Sequence, residues 1–599
     1  MAKKLAAPLI TAKFMKLMRF MMKKFLPFAK QYKLMFIIGP LLALCGALGE
    51  VWLPSRVAGL INRGVVAIGQ DELLREGLIM LGLVVALLAV TLIGTVITAR
   101  ASIMLAADIR EATFRKIQEF SFTNLDALHT GSLITRLTND VNQIQQFVMQ
   151  ILRMGIRGPA QIIGALIVAF RINTRLAIVI FGVVPVLAIF VAVIIVTALP
   201  RFRLMQSCID RANILLQETI TNVRVIKSFV RGDYEVERFD TVSAQLQDAS
   251  LRANRVMLLQ RPAMTIAMNV TTILIVWLGG RMIIGGEMQV GDLGAFTTYV
   301  TQILNALITL STVLVNSSRA VVSAGRISEV LDTRVDLNDN DASEKDRAIG
   351  SGSVEFRGVS FRYFKSSPNA VLSDISFKVA AGQTVGLVGS TGSGKTTLIQ
   401  MIPRLLDPDE GQVLVDGVDV REYSLTRLRN AVSMVLQDNL LFSGSIAENL
   451  AWGKEEASQD EIADATEAAQ IRQFIESLPA GYESELGQRG AGLSGGQKQR
   501  MCIARALLKS PQILILDDST SAVDTATEAR IRQHLARVLP ETTKFIIAQR
   551  ISSVMEADKI LVLDGGRLVG EGTHQELLAD NTTYREIYYS QFRREEGVA

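Results

Sequence analysis

Three groups of residues in this 599-residue chain stand out, and the first two have the types and spacing of a nucleotide site. The first is "GSTGSGKTT": Gly389, Ser390, Thr391, Gly392, Ser393, Gly394, Lys395, Thr396 and Thr397. It fits G-x-x-x-x-G-K-[ST], in which glycines let backbone N–H groups turn inward around phosphate. The lysine reaches the β- and γ-phosphates and the following hydroxyl ligates Mg2+. The second is "ILILDD", four apolar residues ending in Asp517 and Asp518. Asp517 suits Mg2+ contact through its water shell, and Asp518 adds a second acid that reaches one methylene less than glutamate would. The third is "LSGGQ", with Ser494, Gly495, Gly496 and Gln497.

Such groups need strands and helices to hold them. Apolar "TVGLV" precedes the glycine-rich loop and "LIQMI" follows it, a strand and a helix whose N-terminus adds positive potential at the phosphates. From residue 353 to 599 short β-rich runs alternate with helical patterns, which predicts an α/β domain. Residues 326–352, largely polar and charged, read as a linker. Residues 34–325 carry long uncharged runs, among them Gly77 to Ala99, Leu176 to Pro200, Pro262 to Gly280 and Leu293 to Ser318. A membrane-crossing helix needs about 20 apolar residues. With Leu34 to Ser55 and a weaker third segment around Gly158 to Phe170, six spans are expected. The third must begin near Ile151 and carry Arg153 or Arg157 towards an interface.

The links between spans two and three and between spans four and five are each about 50 residues and rich in Arg, which places them in the cytoplasm. Residues 1–33 end in "MKLMRFMMKKFLPFAKQYK", an amphipathic pattern that suits the inner membrane surface. Hydrophobic residues make up 49%, and the net charge of +5 does not argue for nucleic acid. The three cysteines lack paired spacing, so no disulfide framework is expected.

With six spans, the loop at Gly389 to Thr397, Asp517 and "LSGGQ", the chain resembles the ATP-binding cassette (ABC) transporters, as an exporter-type half-transporter. The resemblance implies a membrane-embedded all-α six-helix domain followed by an α/β P-loop domain, with ATP and Mg2+ as cofactors. It places the protein in the inner (plasma) membrane as a multi-pass protein with its nucleotide-binding domain in the cytoplasm. In that family two cassettes sandwich two ATPs, each between one P-loop and the LSGGQ of the other cassette, which implies a second half-transporter subunit. By the same resemblance Tyr363 in "SFRYF" stacks on adenine, and Gln437 in "MVLQDNLLF" meets Mg2+ and the attacking water. "SAVD", Ser521 to Asp524, links the two sites. "TGSLITRLTNDVNQI" and "NVRVIKSFVRGDYE" resemble the segments whose short helices press on the cassettes.

Two departures from the family's pattern bear on hydrolysis. Asp518 stands where Glu usually polarises the attacking water, and Gln549 in "IIAQRISSV" stands where the switch segment usually has His. Asp518 falls short by about one C–C bond, and a general base is worth about 10²–10⁴-fold. Gln549 cannot carry an imidazolium charge. Together the changes resemble the degenerate subunit of heterodimeric exporters, whose own site hydrolyses slowly while its LSGGQ completes the partner's site. Gln488 is a further departure, just before the signature, where Glu is frequent. The alternatives are a homodimer with two slow sites, an exporter-fold siderophore importer, or an ATP-gated regulatory membrane protein. Amphipathic drugs, lipids or peptides are the expected substrate classes. Thr297, Thr301, Asn305, Thr309, Thr312 and Asn316 fall on one face of the last span, as a pathway lining or an interhelical hydrogen-bonding stripe. Glu50 and Arg261 are expected intramembrane charges.

Overall fold

The computed structural model describes residues 24–64, 70–339, 342–363, 369–518 and 523–592. The chain divides into two compact units: Met1–Gln118 with Thr130–Thr333, and Glu119–His129 with Arg334–Ala599.

Among the described residues, six helices of the first unit are long and apolar enough to cross a membrane. They are Lys33–Asn62 (span 1), Gln70–Gln118 (span 2), Val141–Ile172 (span 3), Thr174–Thr221 (span 4), Gln260–Ile284 (span 5) and Val290–Asp332 (span 6). Their outward faces are apolar: Leu74, Leu78, Leu81, Leu88 and Leu92 of span 2 and Val186 and Ile189 of span 4 are exposed, as lipid contact requires. Where the helices meet, small residues allow close approach. A Cβ on Gly39 of span 1 would lie 2.6 Å from the Thr98 hydroxyl of span 2. A core of Val51, Ala165, Leu176, Met264, Phe296 and Tyr299 joins spans 1, 3, 4, 5 and 6, and the Tyr299 hydroxyl donates to the Val51 carbonyl at 3.1 Å.

Span 3 is longer than the apolar run alone suggests. It begins at Val141, directly after a π-turn at Arg136–Asp140, because its inner part packs Ile144 and Phe147 against Ala320, Ala324 and Ile327 of span 6. Polar pairs flank this contact: Ser323 Oγ donates to Asp140 Oδ1 at 2.6 Å, and Arg136 pairs with Glu329 at 2.8 Å. Arg157 does not run to an interface, because Glu50 holds it inside the unit at 2.6 Å. Span 6 stays helical to Asp332, through the first residues of the segment expected to be a linker. Residues 24–29 are helical, but the rest of the expected amphipathic stretch lies outside the described residues. So does the side chain of Arg261.

The second unit is α/β. A four-stranded antiparallel sheet runs β2-β1-β4-β5, with β1 Val354–Phe361, β2 Leu372–Val379, β4 Glu410–Val415 and β5 Val418–Asp419. The main sheet runs β12-β11-β3-β10-β9-β6, with β3 Thr384–Gly389, β6 Val432–Val435, β9 Ile513–Asp517, β10 Thr543–Ile547, β11 Lys559–Asp564 and β12 Arg567–Gly572. Strands β7 (Gly444–Ser445) and β8 (Glu485–Leu486) form a small pair. Within the main sheet β6, β9, β10, β3 and β11 are parallel and only β12 is antiparallel. Every residue of β9 is buried, which explains its unbroken apolar run: a parallel strand covered on both faces has no polar side. The short helix Phe122–Leu128, between spans 2 and 3, belongs to this unit. Its Ser121 cap accepts from the Asn124 N–H, and Asn124 Nδ2 reaches the Arg334 carbonyl at 3.3 Å.

Candidate functional site: a P-loop and a detached signature helix

Parallel strands end at one edge, and the site stands there. Strand β3 delivers Gly389, β9 delivers Asp517, and β10 ends two residues before Gln549. Pairing of Ile547 with Asp517 and of Val435 with Leu516 brings β10 and β6 level with β9, so Gln437, two residues beyond β6, enters the same edge.

The loop from Gly389 to Lys395 is built as an anion cradle. Gly392 and Gly394 have φ of 83° and 93°, and a Cβ on Gly394 would meet Leu372 Cδ2 at 2.6 Å, so glycine is required there. Lys395 opens the helix Lys395–Gln400, and its Nζ donates to the Gly389 and Ser390 carbonyls at 2.8 Å each. Burial pulls the Lys395 ammonium down from its ordinary value, and the carboxylates of Asp517 and Asp518 oppose that. Thr396 Oγ1 donates to Asp517 Oδ1 at 3.2 Å. Asp517 is 2% exposed, and its Oδ2 is buried without a hydrogen-bond partner among the described residues. Burial pushes the Asp517 carboxyl above its ordinary value. A hydroxyl beside a buried carboxylate oxygen with an open acceptor fits Mg2+, which takes oxygen ligands and keeps several waters. Thr396, Asp517 and the Gln437 amide oxygen are the groups that would hold it. Gln437 is exposed and its side chain makes no hydrogen bond among the described residues. The Tyr363 hydroxyl lies 3.1 Å from Thr397 Oγ1, and its ring packs edge-on against Phe361, leaving it 44% exposed for a stacking partner.

Asp518 follows β9 with φ of 48°, a left-handed conformation that turns its side chain away from the strand line. Gln549 Nε2 donates to Asp518 Oδ2 at 2.8 Å. Two of the positions where the sequence departs from the family pattern are therefore in direct contact. Two further residues hold this pair. Gln499 is 1% exposed and donates from Nε2 to the Asp518 carbonyl at 3.0 Å. Gln591 in the C-terminal helix Thr582–Phe592 accepts from the Ile551 N–H at 2.9 Å and donates to the Gln549 carbonyl at 2.8 Å. Motif reading missed both. Gln499 follows Gln497 by two residues and could have been asked about, whereas nothing local marks Gln591.

The signature forms a separate surface. Ser494 caps the helix Gly495–Leu508 by accepting from the Gln497 N–H, and Gln497 Oε1 accepts from the Ser494 N–H at 2.7 Å. This S-x-x-Q capping box leaves the first N–H groups of a 14-residue helix facing outward. A cavity of about 390 Å³ there is lined by Ser494, Gly495, Gly496, Arg500, Val523 and Asp524, with no P-loop residue among them. Ser521 and Ala522 of "SAVD" lie outside the described residues. Gln488 falls in a short turn beside Arg489, whose φ is 54°.

Residues 34–307 match the family described as ABC transporter transmembrane region, and residues 372–521 match the family described as ABC transporter. The chain is 39% identical to the ABC transporter ATP-binding protein YfiB of Bacillus subtilis (strain 168), over 96% of this chain and 99% of that protein. It is 36% identical to the ATP-dependent lipid A-core flippase of Desulfotalea psychrophila, over 81% of this chain and 84% of the flippase. A bacterial Atm1-family ABC exporter solved with ATP bound superposes with a TM-score of 0.80 at 26% identity, over 94% of this chain and 98% of that one. With one six-span membrane unit and one cytoplasmic ATPase domain in a single polypeptide, the chain belongs to the ABC transporter family, as an exporter-type half-transporter of the inner membrane.

Proposed function

We propose that this chain is the degenerate-site half of a heterodimeric exporter that moves amphipathic substrates. Its own P-loop binds ATP, and its LSGGQ completes the competent site of a partner subunit. The observation that carries this reading is the 2.8 Å hydrogen bond from Gln549 Nε2 to Asp518 Oδ2. A general base must reach the proton it removes. Asp518 is one methylene shorter than glutamate, and one of its two oxygens already accepts from an amide that cannot take up a proton in return.

At this site Lys395 binds and orients the β- and γ-phosphates, Tyr363 offers its ring to adenine, and Gln437 orients a water near the terminal phosphate. Mg2+, when bound, neutralises phosphate charge as a Lewis acid. The intact signature helix supports a role for a second chain, since its N–H groups and cavity stand apart from the chain's own P-loop. Exposed apolar residues at the tip of the second long loop support it too: Phe229 and Val230 are 74% and 88% exposed, more than a soluble surface favours.

The test is steady-state ATPase of the purified chain, alone and with its co-purified partner, for wild type and for Asp518→Glu/Gln549→His. The expected result is a nearly inactive chain alone, turnover in the pair, and a gain of about 10²-fold or more at its own site in the double variant. Ordinary transporter rates from the chain alone would refute the degenerate site and make it a homodimer.

A further inference from the structure

The inner half of the membrane unit encloses a polar cavity of about 360 Å³ between spans 1, 3 and 6. Its polar lining includes Glu50, Arg153, Arg157, Gln161, Gln302 and Asn305. Glu50 is fully engaged: Arg157 Nη2 donates to its two oxygens at 2.6 and 2.8 Å, and Gln161 Nε2 donates at 2.7 Å. That pair is neutral. Arg153, one turn earlier on the same helix, makes no hydrogen bond or ion pair among the described residues. Glu50 is the only acidic residue in the lining among the described residues, so these residues give the cavity one uncompensated positive charge. Two amides stand ready beside it. Gln302 donates Nε2 to the Glu50 carbonyl at 3.1 Å, and its Oε1 is buried without a partner among the described residues. The side-chain amide of Asn305 makes no hydrogen bond among the described residues.

Depth along the helices fits a lipid-like head. Arg153 lies 19 residues before the outer end of span 3 at Ile172. At 1.5 Å per residue that is about 28 Å, close to the roughly 30 Å of the hydrocarbon core. Arg153 therefore stands at the inner boundary, with Arg157 about one turn deeper. Asn305 lies 15 residues from the outer start of span 6, about 22 Å, level with Arg157. At this boundary the guanidinium is free to meet water or the anionic head of a molecule lying in the membrane.

We propose that this cavity binds the anionic head of an amphiphile, a carboxylate or phosphate held by Arg153. A hydroxyl or amine of the same head donates to Gln302 Oε1, and Asn305 takes the remaining contact. The export reading supplies the direction of transport, but binding itself is read without ATP. A cationic amphiphile of the same length meets like charge and is disfavoured.

The experiment uses the full chain, in the oligomer in which it purifies, in phosphatidylcholine nanodiscs. Dodecyl phosphate, dodecanoate and dodecyltrimethylammonium are titrated calorimetrically, so that the apolar contribution stays constant. Wild type is expected to favour the two anions over the cation by about tenfold or more, the worth of one charge-assisted hydrogen bond. Arg153→Gln should abolish the preference, Arg153→Lys should keep most of it, and Asn305→Asp should weaken it with Arg153 intact. ATP binding to each variant checks that it is folded. An unchanged preference in Arg153→Gln would overturn the assignment, leaving Arg153 as an interfacial anchor. Displacement by millimolar inorganic phosphate would overturn the amphiphile and point to a soluble anion. A preserved preference without ATP-driven flux would overturn export and leave the site standing.

Discussion

Gln591→Ala removes both hydrogen bonds that fasten the C-terminal helix to the switch segment, those with the Ile551 N–H and the Gln549 carbonyl. Each such bond is worth about 0.5–1.5 kcal/mol net, and water replaces part of it at a half-buried side chain, so the local loss is about 1–2 kcal/mol. That corresponds to a factor of about 5–30 in the local opening equilibrium. The assay is hydrogen–deuterium exchange of the full chain, read on the peptide covering residues 543–553. Exchange at the Ile551 amide should speed up by that factor, while β9 should be unchanged. Gln591→Glu keeps an acceptor for the Ile551 N–H and loses the donor to Gln549, so its effect should be intermediate. Unchanged exchange at Ile551 in Gln591→Ala would refute the idea that this side chain holds the switch. An equal rise across the whole ATPase unit would also refute it, by showing a general loss of stability. In the Asp518→Glu/Gln549→His background, loosening the switch should lower kcat more than it raises KM.

Other outcomes follow from the same geometry. Lys395→Ala, which removes the ammonium from the phosphate cradle, should weaken ATP binding at least about tenfold in equilibrium titration. Gly394→Ala forces a Cβ into Leu372 at a φ of 93°, and a cost of about 1–3 kcal/mol should appear as a lower Tm and weaker nucleotide binding. Buried Tyr584, bonded to His574 Nδ1 at 2.7 Å, has its hydroxyl pushed up to about 12 by burial. Its folded-state pKa exceeds the ordinary value of about 10, so this contribution is complete below pH 10 and is lost as pH rises towards 12. Denaturation of the chain between those pH values should show a loss of up to about 2 kcal/mol that Tyr584→Phe removes.

How much of this was legible in the sequence depended on the range of the interaction. The phosphate loop could be read because one short stretch supplies its glycines, lysine and hydroxyl, and the signature because its five consecutive residues carry the family resemblance. Four spans could be read from uncharged apolar runs, and the first by continuing its run past Glu50. The third was harder, because Arg153 and Arg157 interrupt it and their accommodation comes from elsewhere in the chain. The family's pattern marked Asp518 and Gln549 as departures, but not that the two side chains touch.

The sequence by itself determined the membrane helices, the α/β character of the second unit and the local chemistry of the P-loop and signature, since periodicity and motif spacing act over a few turns of chain. Only the tertiary structure decided the partners. Glu50 neutralises Arg157 across 107 residues, Gln549 meets Asp518 across 31, and Gln591 reaches back 42 to the Gln549 carbonyl. The unpaired state of Arg153 is also a tertiary result, because whether a charge finds a partner depends on which helices pack beside it. The physical reason is the same in each case. A hydrogen bond needs its atoms within about 3 Å, and over such separations helix packing and sheet order, rather than chain neighbours, bring them that close.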